Sequence, residues 1–140
     1  MRRLAAPALL LAIGVALSGQ IPARTVWDGV YTAEQAEAGR EVYAAACASC
    51  HGDALGGVEA APALVGAAFA AGWGGTTLND LAERIRVSMP ADDPGSLSRR
   101  RVADVVAYML SMGGFPAGAF ELDRQAEVLQ QIVYVSTRPN

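Results

Sequence analysis

Apolar residues recur at helical spacing in four stretches of this chain, and no stretch before the tail alternates with the two-residue period of a strand. The first pattern begins near Thr32. Thr32-Ala33-Glu34-Gln35 has the form of a capping box, in which hydroxyl and amide satisfy orphan backbone donors. Ala36, Gly39, Tyr43 and Ala46 then share one face. Gly39 is costly inside a helix, so its position predicts the close approach of another helix. A second pattern starts at Thr77, with Asp80 three residues on and Leu78, Leu81 and Ile85 as its stripe. It ends by Ser88 or Met89, because Pro90 pushes Met89 toward an extended conformation. The third runs from Arg99 to Met112 behind an N-cap at Ser98, burying Val102, Val105, Val106, Met109 and Leu110. Gly113-Gly114 and Pro116 stop it. The fourth is a short piece of the tail, where Leu122, Ala126 and Leu129 share a face before an extended Ile132 to Val135.

Between the first two helices, Gly52 to Gly75 is rich in glycine and alanine and reads as a long loop with one helical turn near Pro62 to Phe69. A loop this long inside a small domain calls for something to wrap. Arg99, Arg100 and Arg101 stand in the first turn of their helix, where cations oppose the dipole. Two explanations stay open for them, a docking or anion contact and a solvated face.

Length and composition narrow the picture. The chain has 140 residues, room for one domain. Its 52% hydrophobic content excludes a disordered chain. All 11 cations are arginine, against 14 carboxylates. This acidic balance argues against nucleic acid as a partner. Arg2 and Arg3 followed by an apolar Leu4 to Leu17 have the form of a secretory leader, too short to span a bilayer. Cleavage after Ser18 or after Ala23 is open, an uncleaved interfacial anchor being the alternative. The expected organisation is a leader over 1–23, a domain over 27–118 and a strap over 119–140, with no membrane span once the leader is gone.

The chemistry lies in Cys47-Ala48-Ser49-Cys50-His51. Two thiols three positions apart, followed at once by an imidazole, form the attachment motif of a c-type haem. A dithiol redox pair would want a βαβ setting, and the surroundings are helical. Structural zinc would want four ligands, and the chain has two cysteines and one histidine. His51 is therefore the proximal ligand, with its other ring nitrogen donating to a carbonyl for which Pro62 is the natural acceptor. Beyond Met1, three methionines compete for the sixth position. Met109 lies on a packed helix face and Met112 at a helix end. Met89, in a loop held extended by Pro90, is the preferred ligand, and His/Met iron has a raised potential. Leu64, Val65, Trp73 and Ile85 are expected pocket walls. Trp73, Thr76, Thr77, Arg84 and Arg86 are candidate donors to the propionates, with a plain core role equally open for Trp73.

On these residues the chain resembles class I c-type cytochromes. Gly39 and Tyr43 precede the haem motif, Pro62 and Leu64 follow it, and Met89-Pro90 and Tyr108 complete the pattern over Trp27 to Gly118. The resemblance implies an all-α fold with crossed first and last helices around one covalent haem c. Ile85-Arg86, Asp92 to Ser98, Ala107-Tyr108 and Gly114 to Gly118 are also similar to small cytochromes associated with periplasmic quinoprotein alcohol dehydrogenases. That likeness implies a periplasmic one-electron carrier with a dehydrogenase as donor and an oxidase or another cytochrome as acceptor. The lysine ring by which mitochondrial cytochrome c docks is missing. Two other functions stay open: a haem subunit of a larger dehydrogenase complex, and a haem enzyme or sensor with an open distal site.

Overall fold

The structure, a computed structural model, describes residues 24–59 and 61–139. The predicted leader lies outside them. In chain order the elements are β1 (Arg24–Thr25), α1 (Ala33–Ala46), α2 (Ala48–His51), α3 (Gly66–Trp73), α4 (Leu78–Ser88), α5 (Arg99–Met112), α6 (Ala126–Leu129) and β2 (Ile132–Val133). The fold is all-α, with a single two-stranded ribbon among the described residues. None of the described helices is long and apolar enough to cross a membrane.

The crossing of α1 and α5 organises the domain. Gly39 is buried at the crossing, where a β-carbon would stand 2.5 Å from the carbonyl carbon of Asp104 and 2.9 Å from Cβ of Tyr108. Only glycine lets the two backbones approach this far. One turn further on, the rings of Tyr43 and Tyr108 meet at 5.4 Å. On the other side Gln35 is buried and fully used. Its Nε2 donates to Asp104 Oδ1 at 3.2 Å and to the Leu122 carbonyl at 3.0 Å, and its Oε1 accepts from the Leu122 N–H at 2.6 Å. The expected capping box at Thr32 is thus half made. The hydroxyl accepts from Gln35 N–H, but the Gln35 side chain is committed to the crossing and the tail.

At α4 both halves of the box form. Thr77 Oγ1 accepts from Asp80 N–H, and Asp80 Oδ2 accepts from Thr77 N–H at 2.8 Å and from its hydroxyl at 2.7 Å. These two donors hold the Asp80 carboxyl below its ordinary pKa. Leu78, Leu81, Ala82 and Ile85 bury the inner face of α4. α5 starts and stops at Arg99 and Met112, and the Ser98 hydroxyl caps it by accepting from Arg101 N–H. Its leading arginines reach carboxylates on other elements, which offsets their conflict with the dipole. Arg99 Nη1 lies 2.9 Å from Glu83 on α4, and Arg100 Nη2 lies 3.7 Å from Glu121 of the tail.

The glycine-rich stretch holds more helix than its composition predicts. In place of one turn, α3 makes two, over Gly66–Trp73, and buries Phe69. Packing of that ring outweighs the low propensity of Gly66 and Gly72.

The tail crosses back over the domain. Leu122, Leu129, Ile132 and Tyr134 are buried. β2 pairs parallel with β1, Arg24 opposite Ile132 and Thr25 opposite Val133. The Trp27 indole donates to the Val135 carbonyl at 3.0 Å. Gly29 and Gly118 touch backbone to backbone, and Gly118 N–H donates to the Tyr31 carbonyl at 2.7 Å.

Candidate functional site

The haem motif forms at the end of α1. That helix breaks at Cys47, whose N–H still reaches the Tyr43 carbonyl, and the chain restarts as the single turn α2. Cys47 and Cys50 stand three apart on this turn, both as free thiols. Cys47 is half-buried and Cys50 exposed. Burial, with the charge of Cys50 adding to it, pushes the Cys47 thiol above its ordinary pKa.

His51 ends the turn and is 7% exposed. Its Nδ1 lies 2.8 Å from the Pro62 carbonyl oxygen. A carbonyl can only accept, so Nδ1 carries the proton and Nε2 is left with its lone pair for a metal. The loop that delivers this carbonyl is built by its own backbone. Gly57 N–H donates to the His51 carbonyl at 2.9 Å, Val58 and Ala61 exchange hydrogen bonds, and Leu64 N–H donates to the Leu55 carbonyl at 2.8 Å. Gly57 has φ +77, and a β-carbon there would stand 2.6 Å from Ala63 N and 2.8 Å from the Pro62 carbonyl carbon. Leu55 takes φ 57, with its side chain fully buried. The Tyr43 hydroxyl donates to the Gly52 carbonyl at 2.7 Å, tying this loop to the helix crossing. Sequence reasoning found Pro62 but passed over Gly57. The Gly56-Gly57 pair was the signal available for it.

The other predicted site residues divide by exposure. Leu64, Val65, Trp73 and Met89 are half-buried and pack with Cys47, Ala48 and Ala70 against the core. Each keeps a partly exposed apolar surface beside the core. Ile85 lies deeper, at 9% exposure. Pro62 has an exposed ring and contributes through its carbonyl. Met89 caps α4 in an extended conformation, φ −126 and ψ 149, as Pro90 requires.

Among the candidate anion donors, the Thr77 hydroxyl is occupied by its capping box and Thr76 Oγ1 donates to the Trp73 carbonyl at 2.9 Å. Arg86 is engaged by Glu83, with Nη2 at 2.7 Å. Arg84 is exposed, with no ion pair among the described residues. Trp73 leans on Phe69 with ring centroids 6.0 Å apart, and its Nε1 has no hydrogen-bond partner among the described residues.

These donors suit a covalently held haem. Two unpaired thiols and a tautomerically fixed imidazole fit the vinyl carbons and the iron of such a group.

Comparison with known proteins agrees. No curated protein is similar enough in sequence to count as a relative. Among solved structures, the sulfane dehydrogenase SoxCD from Paracoccus pantotrophus has a similar fold, with a TM-score of 0.53 and 24% identity over 89% of this chain and 68% of that one. Residues 34–109 match the family described as cytochrome c oxidase, cbb3-type, subunit III, a cytochrome c domain whose cofactor is a covalently bound haem c. With nearly all of α1, the haem motif, α4 and most of α5 inside that match, the chain belongs to this family of class I c-type cytochromes.

Proposed function

We propose that the protein is a periplasmic one-electron carrier in which Cys47 and Cys50 hold haem c and His51 and Met89 ligate its iron. The carrying observation is the 2.8 Å contact between His51 Nδ1 and the Pro62 carbonyl, which fixes the tautomer that presents Nε2 as a ligand. The bound haem supplies a one-electron couple. The chain supplies the rest. The backbone loop through Gly57 keeps the imidazole from rotating. The extended Met89 follows an amphipathic helix whose buried face anchors it. With His51 and Met89 both holding the iron, no position would be left for oxygen or substrate. Leu64, Val65, Trp73 and Ile85 would give the haem an apolar surround. Trp73 Nε1 and Arg84 are the donors free to meet the propionates.

The leader pattern over 1–23 supports export, and a strap over 119–140 completes a domain over 27–118. A dehydrogenase donor and an oxidase or cytochrome acceptor suit a carrier that meets partners through small contacts, below about 1,200 Å² of total buried surface. The unpaired acidic excess makes those encounters weaken with salt if the partner is basic.

Met89→Ala tests the reading. The oxidised wild-type protein should show the weak red charge-transfer band of sulfur–iron ligation, and the reduced protein should resist carbon monoxide. The variant should lose the band and bind carbon monoxide. Persistence of the band would move the ligand elsewhere. A colourless protein from a host competent to attach haem would remove the whole reading.

One observation favours a second reading, a fixed haem subunit of a dehydrogenase complex. Phe120, in the tail outside the family match, is 80% exposed. A ring so exposed is a candidate anchor for a permanent partner. Isolation from the native host separates the readings, a carrier purifying alone and a subunit purifying with its dehydrogenase.

A further inference from the structure

Tyr134 stands where the tail meets the segment between the two proposed iron ligands. Its N–H donates to the Thr76 carbonyl at 2.9 Å, and its carbonyl accepts from Gly75 N–H at 2.8 Å. Its ring is edge-on to Phe69, with centroids 5.7 Å apart, and to Phe115, at 5.4 Å. Phe69 in turn carries Trp73. Trp73 is therefore gripped twice by groups that rest on Tyr134, at its ring through Phe69 and at its carbonyl through Thr76. The next tail residue inward, Val133, bridges to Thr77, the residue that caps α4. The far end of α4 is Met89.

Tyr134 and Val133, the tail's part of this support, lie beyond the matched span 34–109, while Phe69, Trp73, Thr76 and Thr77 lie within it. We propose that Tyr134 is a positioning residue, the wedge by which the C-terminal strap holds Trp73 and the Met89-bearing helix against the haem. The proposal rests on the His/Met reading above. Its physical basis is an asymmetry between the two proposed ligands. His51 is anchored by two adjacent attachment points and a backbone-built loop. Met89 is a neutral, soft ligand on a single loop, and its distance from the iron depends on where α4 sits. Any slack at the start of α4 is released first at Met89. The ring of Tyr134 does this work, since its hydroxyl makes no hydrogen bond among the described residues.

The test uses the full-length holoprotein as wild type, Tyr134→Ala, Tyr134→Phe and Phe69→Leu. Haem attachment should be equal in all four. Tyr134→Ala should weaken the charge-transfer band and raise carbon monoxide affinity of the reduced protein at least tenfold, which is about 1.4 kcal/mol. Phe69→Leu should shift both readouts the same way by less, and Tyr134→Phe should match wild type. If Tyr134→Ala does not fold, Phe69→Leu decides. A lowered melting temperature with band and carbon monoxide resistance intact would make Tyr134 merely structural and overturn the proposal. A wild type that lacks the band sinks the His/Met reading itself, and this proposal with it.

Discussion

Replacing Gly39 by alanine probes the closest approach in the fold. The added methyl would stand 2.5 Å from the Asp104 carbonyl carbon and 2.9 Å from Tyr108 Cβ, and both neighbours are too constrained to move alone. Ordinary carbon contacts lie near 3.5 Å and the Asp104 carbonyl oxygen is nearer still, so α1 and α5 must separate by more than about 1 Å. Overpacking of this kind costs about 1–3 kcal/mol. The separation also stretches the 3.2 Å bond from Gln35 to the Asp104 carboxylate, and a hydrogen bond to a charged group contributes about 1.5–3 kcal/mol. Better helix propensity of alanine returns about 1 kcal/mol. The net loss is about 1.5–5 kcal/mol, a large share of the roughly 5–15 kcal/mol that holds a domain. Thermal unfolding of the holoprotein followed by circular dichroism should show a midpoint lower by about 10 °C. Gly72, helical and with nothing within 4 Å of a built β-carbon, is the control. Gly72→Ala should stabilise by about 0.5–1 kcal/mol. If Gly39→Ala melts at or above wild type while Gly72→Ala behaves as stated, the crossing is not a close contact and the packing argument fails.

Two further predictions concern the site and its surroundings. Gly57→Ala, strained at φ +77 and blocked by the Ala61–Ala63 backbone, should move the Pro62 carbonyl off His51 Nδ1. A less basic imidazole favours ferrous iron, so the midpoint potential should rise, by about 59 mV for each tenfold change in relative affinity. A redox titration giving an unchanged or lower potential would refute the role of that carbonyl. Alkaline stability is the other case. Burial pushes the Tyr43 hydroxyl up to about 12 and raises Tyr31 and Tyr134 above their ordinary 10.0. The folded state then keeps protons that the unfolded chain gives up, so this contribution is complete below pH 10.0 and is lost as pH rises toward about 12. Denaturant titrations across that window should show falling stability, with a shallower fall in Tyr43→Phe. A flat profile would contradict the burial of these hydroxyls.

Much of this fold was legible because its signals are local. Ser98, Thr77 and Asp80 marked helix starts through side chains that reach only three residues. Gly39 announced a crossing through a single missing methyl. The haem motif needs one helical turn, and α2 is that turn. The parts that stayed dark depend on distant partners. Gln35 looks like a capping residue until Asp104 and Leu122 arrive from 69 and 87 positions away. Arg99 looks misplaced until Glu83 is beside it. The second turn of α3 needs Phe69 to find Tyr134, 65 residues later and across a tail whose short pattern revealed neither. Phe120 carries no pattern at all, because exposure is decided by what fails to pack against it.

The ribbon of β1 and β2 has a consequence for the order of events in the life of the polypeptide. It joins the start of the described chain to its last buried residues, and the Trp27–Val135 bond beside it closes 108 positions. Contacts so far apart are entropically late. A nascent chain has no mate for Arg24 and Thr25 until Ile132 and Val133 emerge. That seam is among the last contacts the chain can make, because both of its strands must first be present.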